Sequence, residues 1–163
     1  MNKLQIYINE ILAQIQYSKR CFLNFELSFE KNDIQSVFFH LHHFTVHVAN
    51  VDKLLSSKPN SKRTVIYGSH INLNEINLKP FRKLRNHLEH FDERLDRWVE
   101  KYDGHAFFDN NIVTGTKGFP DNVFLRALDG YTYEFLGESY ELLPLVETLN
   151  ALETKLNAIV FKT

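Results

Sequence analysis

Apolar residues recur along this chain at alternating steps of three and four over four long stretches, the period of a helix with one buried face. In the first stretch, Asn2–Phe29, the positions Leu4, Ile8, Ile11, Ile15, Phe22, Phe25 and Phe29 keep the spacing, Ser18 fills one step, and no Gly or Pro interrupts. Asn32 or Asp33 has the right side chain to cap a second helix, whose stripe is Ile34, Val37, Leu41, Phe44, Val48, Val51 and Leu55 and which runs to Ser56. Ser57-Lys58-Pro59-Asn60-Ser61 is loop chemistry and ends it. The spacing predicts a third helix over Pro80–Tyr102, with Pro80 in its first turn and Asp103-Gly104 as its stop. Its stripe is Phe81, Leu84, Leu88, Phe91, Leu95, Trp98 or Val99, and Tyr102. The fourth, Ser139–Phe161, carries Leu142, Leu145, Leu149, Leu152, Leu156 and Ile159, and Pro144 makes its first turn irregular.

The connections are of two kinds. Lys62–Lys79 is weakly patterned: Thr64-Val65-Ile66-Tyr67 reads as a short strand stopped by Gly68, and Asn72, Asn74 and Asn77 read as loop and helix-start residues. Gly104–Gly137 changes character, and within it Val123–Leu128 and Tyr131–Leu136 are β-prone runs on either side of Asp129-Gly130. That pattern predicts a hairpin closed by a type I′ turn. The expected fold is mainly all-α: a four-helix bundle with a small β-hairpin inserted between helices three and four, in one domain spanning residues 1–163. Phe38 lies off the stripe of its helix and is expected to meet the hairpin or a partner chain.

Composition narrows the function classes. A chain of 163 residues can bury a sizeable core, and a formal net charge of −1 gives no global basic field to attract nucleic acid. Cys21 is the only cysteine, so a disulfide within the chain and a cysteine-rich zinc site are both excluded. There is no long uninterrupted apolar run and no apolar core in the first twenty residues, so neither a membrane span nor a secretory signal is expected, and the cytoplasm is the expected location.

Arg, His, Asp and Glu are densest in Pro80–Tyr102, and its centre is Arg85-Asn86-His87-Leu88-Glu89-His90. An Arg, a polar neighbour, and a His five residues on, set in a late helix of a helical bundle, resemble the signature of the HEPN superfamily, whose motif is Arg, four to six residues, then His. The resemblance covers the four helices, while the hairpin and the 62–79 connection lie outside it. It implies metal-independent cleavage of RNA by a toxin or phage-defence protein, or an RNA-binding relative, with no cofactor. His90 would be the general base or acid, Arg85 the phosphate clamp, and Asn86 the residue that orients the phosphate or the His. It also implies a homodimer that assembles the cleft from two copies, with RNA and an antitoxin protein as partners.

The helical wheel adds a second candidate. On an ideal helix Arg85 and His90 are about 140° apart, whereas Arg82, Asn86, His90 and Glu93 step by 4, 4 and 3 and share a polar face, so Arg82 is also a phosphate-binding candidate. Glu89, Asp92, Glu93 and Asp96 place acid beside the motif, which works against a phosphate backbone. Two other readings stay open. One is a non-catalytic helical-bundle module for dimerisation or binding, with Arg85–Glu89 and Glu93–Arg97 as ordinary i,i+4 ion pairs. The other is a His-rich metal-binding bundle protein using His40, His43 and His47, of which His43 and His47 are four residues apart on one helix face.

Overall fold

The first two helices are set by their caps. The Asn2 side chain accepts a hydrogen bond from the Gln5 amide at 2.9 Å and the Gln5 side-chain oxygen accepts one from the Asn2 amide, a capping box that opens α1 (Lys3–Glu30). α1 stops at Asn32, which sits in the left-handed region at φ 55, with Asn32 N–H on the Phe29 carbonyl and Asp33 N–H on the Ser28 carbonyl. These two bonds form a Schellman close. Asp33 then caps α2 (Ile34–Leu55) through the Ser36 amide. One residue therefore ends one helix and the next starts another, and α1 and α2 form the most extensive helix pair of the molecule.

The computed structural model describes residues 2–56, 61–68, 70–73 and 76–160, without the side chains of Thr64 and Asp121. The loop read at Ser57–Asn60, the loop residue Asn74 and the last residue of the fourth predicted helix, Phe161, lie outside the described residues. Thr64–Tyr67 belongs to a short helix, α3 (Lys62–Tyr67), rather than a strand. Its anchor is Tyr67, whose hydroxyl donates to the Leu54 carbonyl at 2.7 Å and whose ring meets Tyr7 edge-on.

The architecture is an α/β fold rich in helix, and the expected four-helix bundle with a small hairpin is overturned on two counts. First, the predicted third helix is two helices, α4 (Lys79–Glu89) and α5 (Phe91–Glu100), broken at His90 (φ −114, ψ 31). The buried face of α4 is Phe81, Leu84 and His87, so the apolar stripe runs off the helix by the second turn, and no residue of α5 is buried. Second, the β element is a four-stranded mixed sheet in the order β1-β2-β3-β4: Phe108–Val113, Phe124–Asp129, Thr132–Phe135 and Glu138–Glu141. β1 runs parallel to β2, with a bulge around Asn110 at φ 54, while β2–β3 and β3–β4 are antiparallel. Arg126 of β2 pairs with Asp109 of β1 through two bonds of 2.7 and 2.8 Å.

The turns differ from the expectation as well. β2 and β3 are joined by Gly130-Tyr131, of which Gly130 alone has positive φ. The loop with both residues at positive φ is Leu136-Gly137 (50° and 76°), between β3 and β4. This is the backbone that a type I′ turn needs. It makes the residues expected to begin the fourth helix, Ser139–Glu141, part of β4 instead. α6 then starts at Leu142 (Leu142–Val160), and Pro144 is accommodated in its first turn, where the amide it lacks has no helical partner.

One face of the sheet joins the helical core. Leu128, Tyr133, Phe135 and Tyr140 are buried in the same cluster as the stripes of α1, α2, α4 and α6. Phe38 of α2 packs on Tyr133, and Tyr131 stacks on Phe22 of α1.

The β3–β4 turn gives a direct test of this fold. Gly137→Val places a β-branched side chain at φ 76 and is expected to destabilise the protein by roughly 1–2 kcal/mol in urea unfolding. A helix beginning at Ser139 would leave residue 137 in an unconstrained loop, with no change in midpoint.

Candidate functional site

The site is built where α4 lies against α2. Along α2, Val48, Val51 and Leu55 face the core, and Asp52 sits among them with no exposed surface. A bare carboxylate there is costly, so partners must surround it. Ser56 donates its hydroxyl to Asp52 Oδ1 at 2.8 Å. From α4, Arg85 Nη1 stands 2.8 Å from Asp52 Oδ2, and Arg82 Nη2 lies 3.9 Å from Oδ1 while donating to the Ser56 hydroxyl at 3.0 Å. The Arg85–Oδ2 contact is a close charge contact with poor hydrogen-bond alignment, since neither Oδ2 nor Arg85 Nε has a well-formed hydrogen-bond partner among the described residues. Glu89 flanks Arg85 at 3.6 Å and is held from the other side by Lys53 at 3.3 Å.

The predicted residues therefore separate into two layers. Arg85, with 21 % of its side chain exposed, points back to Asp52 and gives Nη2 to the Asn86 amide oxygen at 3.4 Å, the outer limit of a hydrogen bond. Arg82, Asn86 and His90 lie on the exposed face of α4, with side-chain exposures of 53 % for Arg82 and 56 % for His90. His90 meets Glu93 through Nδ1 at 3.3 Å, and no contact joins it to Arg85 among the described residues. Of the two i,i+4 ion pairs expected, Arg85–Glu89 is formed, while Arg97 donates to the Glu93 backbone carbonyl instead.

The histidines of α2 are spread over other partners. His43 Nδ1 is 2.8 Å from the Phe39 carbonyl, His47 Nδ1 is 2.8 Å from the Gln14 side-chain oxygen of α1, and His40 lies edge-on to Phe39. Among the described residues no three His, Cys, Asp or Glu side chains are grouped as metal ligands.

Two polar residues are buried where the sequence pattern does not predict it. Asp52 carried a usable signal, a carboxylate inside the stripe Val48, Val51, Leu55. The other is His87, wholly buried on α4 against Phe135 (4.5 Å between rings) and Tyr140. Its Nδ1 is 3.7 Å from Glu138 Oε2, too long for a hydrogen bond, and neither ring nitrogen has a partner among the described residues. Burial, helped by the Arg94 guanidinium and only partly offset by Glu138, pushes His87 down to about 4. Burial also pushes the Glu138 carboxyl up, but hydrogen bonds from Tyr140 and Arg94 and the charges of Arg94 and Lys83 outweigh it and hold Glu138 below the usual range. Glu138 thus gathers Arg94 from α5, Lys83 from α4 and Tyr140 from its own strand. The break at His90 is what lets α5 reach it: Phe91 stacks on Phe135 and Arg94 pairs with Glu138.

No protein-family model, curated protein or solved structure matches the chain. None of the described helices is long and apolar enough to cross a membrane.

His87 sets a pH dependence whose sign follows from its depressed value. The unfolded chain binds this proton near 6.5 and the folded chain near 4, so the contribution is present above pH 6.5 and is lost as pH falls through 4. The full loss amounts to about 3 kcal/mol. His87→Phe keeps a ring against Phe135 and removes the two unpaired nitrogens. The difference in unfolding free energy between variant and wild type is expected to widen in the variant's favour from pH 6.5 to 4. A constant difference across that range contradicts the burial of a neutral His87.

Proposed function

We propose that this protein is a metal-independent endoribonuclease of the toxin or phage-defence type, or an RNA-binding relative of one, acting as a homodimer in the cytoplasm. The observation that carries the reading is the exposed row Arg82, Asn86 and His90 on one face of α4, ending at a helix break. Asn86 and His90 are shared with the resemblance to HEPN proteins, whereas the Arg of that spacing is Arg85 and Arg82 stands eight residues before His90.

In this reading His90 takes the proton of a ribose 2′-hydroxyl, the oxygen attacks the adjacent phosphorus as the bond to the 5′-oxygen breaks, and the 5′-oxygen takes a proton from water. With Nδ1 beside Glu93, Nε2 is the nitrogen left for the substrate. Arg82 supplies positive charge to RNA and Asn86 a neutral amide. Arg85 is a positioning residue: its charge is spent on Asp52 and Glu89, and it holds α4 on α2 and backs Asn86. As the resemblance implies, a second copy of the chain brings a further cation to the scissile group. The antitoxin partner would cover the same row.

A second reading, a non-catalytic binding module, has its own support. Arg85 is committed to a buried carboxylate, and Glu89 and Glu93 stand beside the row and repel phosphate.

The purified chain, incubated in EDTA with single-stranded RNAs of varied sequence, is expected to cut them, and His90→Ala to lower the rate by about 10²-fold or more. RNA left intact by the wild-type protein across all substrates removes the nuclease reading and leaves the binding module.

A further inference from the structure

α5 sorts its charges. Arg94, Arg97 and Lys101 fall within one third of the helix circumference together with Trp98, while Asp92, Glu93, Asp96 and Glu100 occupy the opposite side. A helix made soluble by surface ion pairs would interleave the signs. The cationic side faces a groove of about 250 Å³ between α5 and the β3–β4 turn, lined also by Asn122 and Glu138. Three cations stand there against one carboxylate, a net of two positive charges. Glu138 is engaged with Arg94, and no carboxylate among the described residues pairs with Arg97 or Lys101.

Two unmet donors sit on residues that line the groove. The Trp98 indole N–H and the Arg94 Nε–H are buried with no acceptor among the described residues. Arg97 and Lys101 are four residues apart, close enough on a helix to address one group together. The net positive charge disfavours a metal ion, and no Ser, Thr, Cys or His side chain is among the groove's lining residues.

We propose that this groove is a binding site for a terminal phosphate group, with Arg97 and Lys101 holding the dianion and Trp98 and Asn122 facing the body that carries it. The charge of the groove matches a phosphomonoester, and its volume leaves room beyond the phosphate for a small polar body. The group can be carried by a free phosphorylated small molecule or by the 5′ end of an RNA strand. Neither source requires that His90 cleave RNA.

Trp98 is the single tryptophan of the chain, so its emission reads this groove without a label. Wild-type protein is titrated at fixed ionic strength with inorganic phosphate, with ribose 5-phosphate, and with two short RNAs differing only in a 5′-phosphate or a 5′-hydroxyl. A saturable change in emission is expected with phosphate-terminated probes, weakened about tenfold or more in the Arg97→Ala, Lys101→Ala double variant. Both residues are solvent-facing, and circular dichroism checks that the variant is folded. Tighter binding of the 5′-phosphate RNA than of ribose 5-phosphate assigns the site to strand ends, and equal or weaker binding assigns it to small phosphomonoesters. The proposal is overturned by an unchanged spectrum with every probe up to roughly 10 mM. It is equally overturned by undiminished binding in the double variant, or by a 5′-hydroxyl RNA that binds as tightly as its phosphorylated twin.

Discussion

The carboxylate of Asp52, closed off from water in the middle of α2, is the constraint from which the site follows. α4 brings cations to it from two positions three residues apart, Arg82 and Arg85. The pair fixes both the height and the rotation of α4 against α2. That rotation turns Phe81, Leu84 and His87 inward and leaves Arg82, Asn86 and His90 outside. Arg85 is therefore drawn toward Asp52, while Arg82, Asn86 and His90 are the more exposed side chains beside it.

A second node, Glu138, ties the sheet to the same helices. It lies at the first position of β4 because Leu136 and Gly137 both take positive φ and turn the chain back sharply. Arg94 and Lys83 converge on it from α5 and α4, and His87 is packed beneath against Phe135 and Tyr140. A straight helix through His90 would carry Phe91 and Arg94 away from the sheet. The break exchanges one turn of regular helix for an aromatic stack and an ion pair. It also separates the exposed row on α4 from the cationic groove on α5, so that one predicted helix presents two different surfaces.

What the sequence made legible was whatever is periodic and locally determined. The stripes of α1, α2 and α6, apart from exposed Phe29 and partly buried Ile34 and Ile159, are buried because strict three-four spacing leaves a helix few other ways to hide apolar surface. β4 was hidden because Glu138–Glu141 offers a single large buried residue, Tyr140, directly before the leucine stripe of α6. β1 was hidden by Asp109-Asn110-Asn111, which reads as loop yet forms a bulged strand held by Arg126. The break at His90 is set by contacts with residues more than forty positions away in sequence, which no local pattern carries. For the site, residue types and the Arg82–Asn86–His90 alignment were visible on a helical wheel, whereas the direction of Arg85 depended on Asp52. That carboxylate could have been noticed as the one charge inside an apolar stripe.

The commitment of Arg85 to Asp52 is the claim on which the division between scaffold and working face rests. A double-mutant cycle on unfolding free energy, using Asp52→Ala, Arg85→Ala and the double variant at pH 7, measures it directly. The account predicts that the two single losses are far from additive, with a coupling of about 2 kcal/mol or more, because each single change leaves a charge without its partner. Additive losses, with coupling near zero, would mean that Arg85 is not spent on Asp52 and would return it to the functional face.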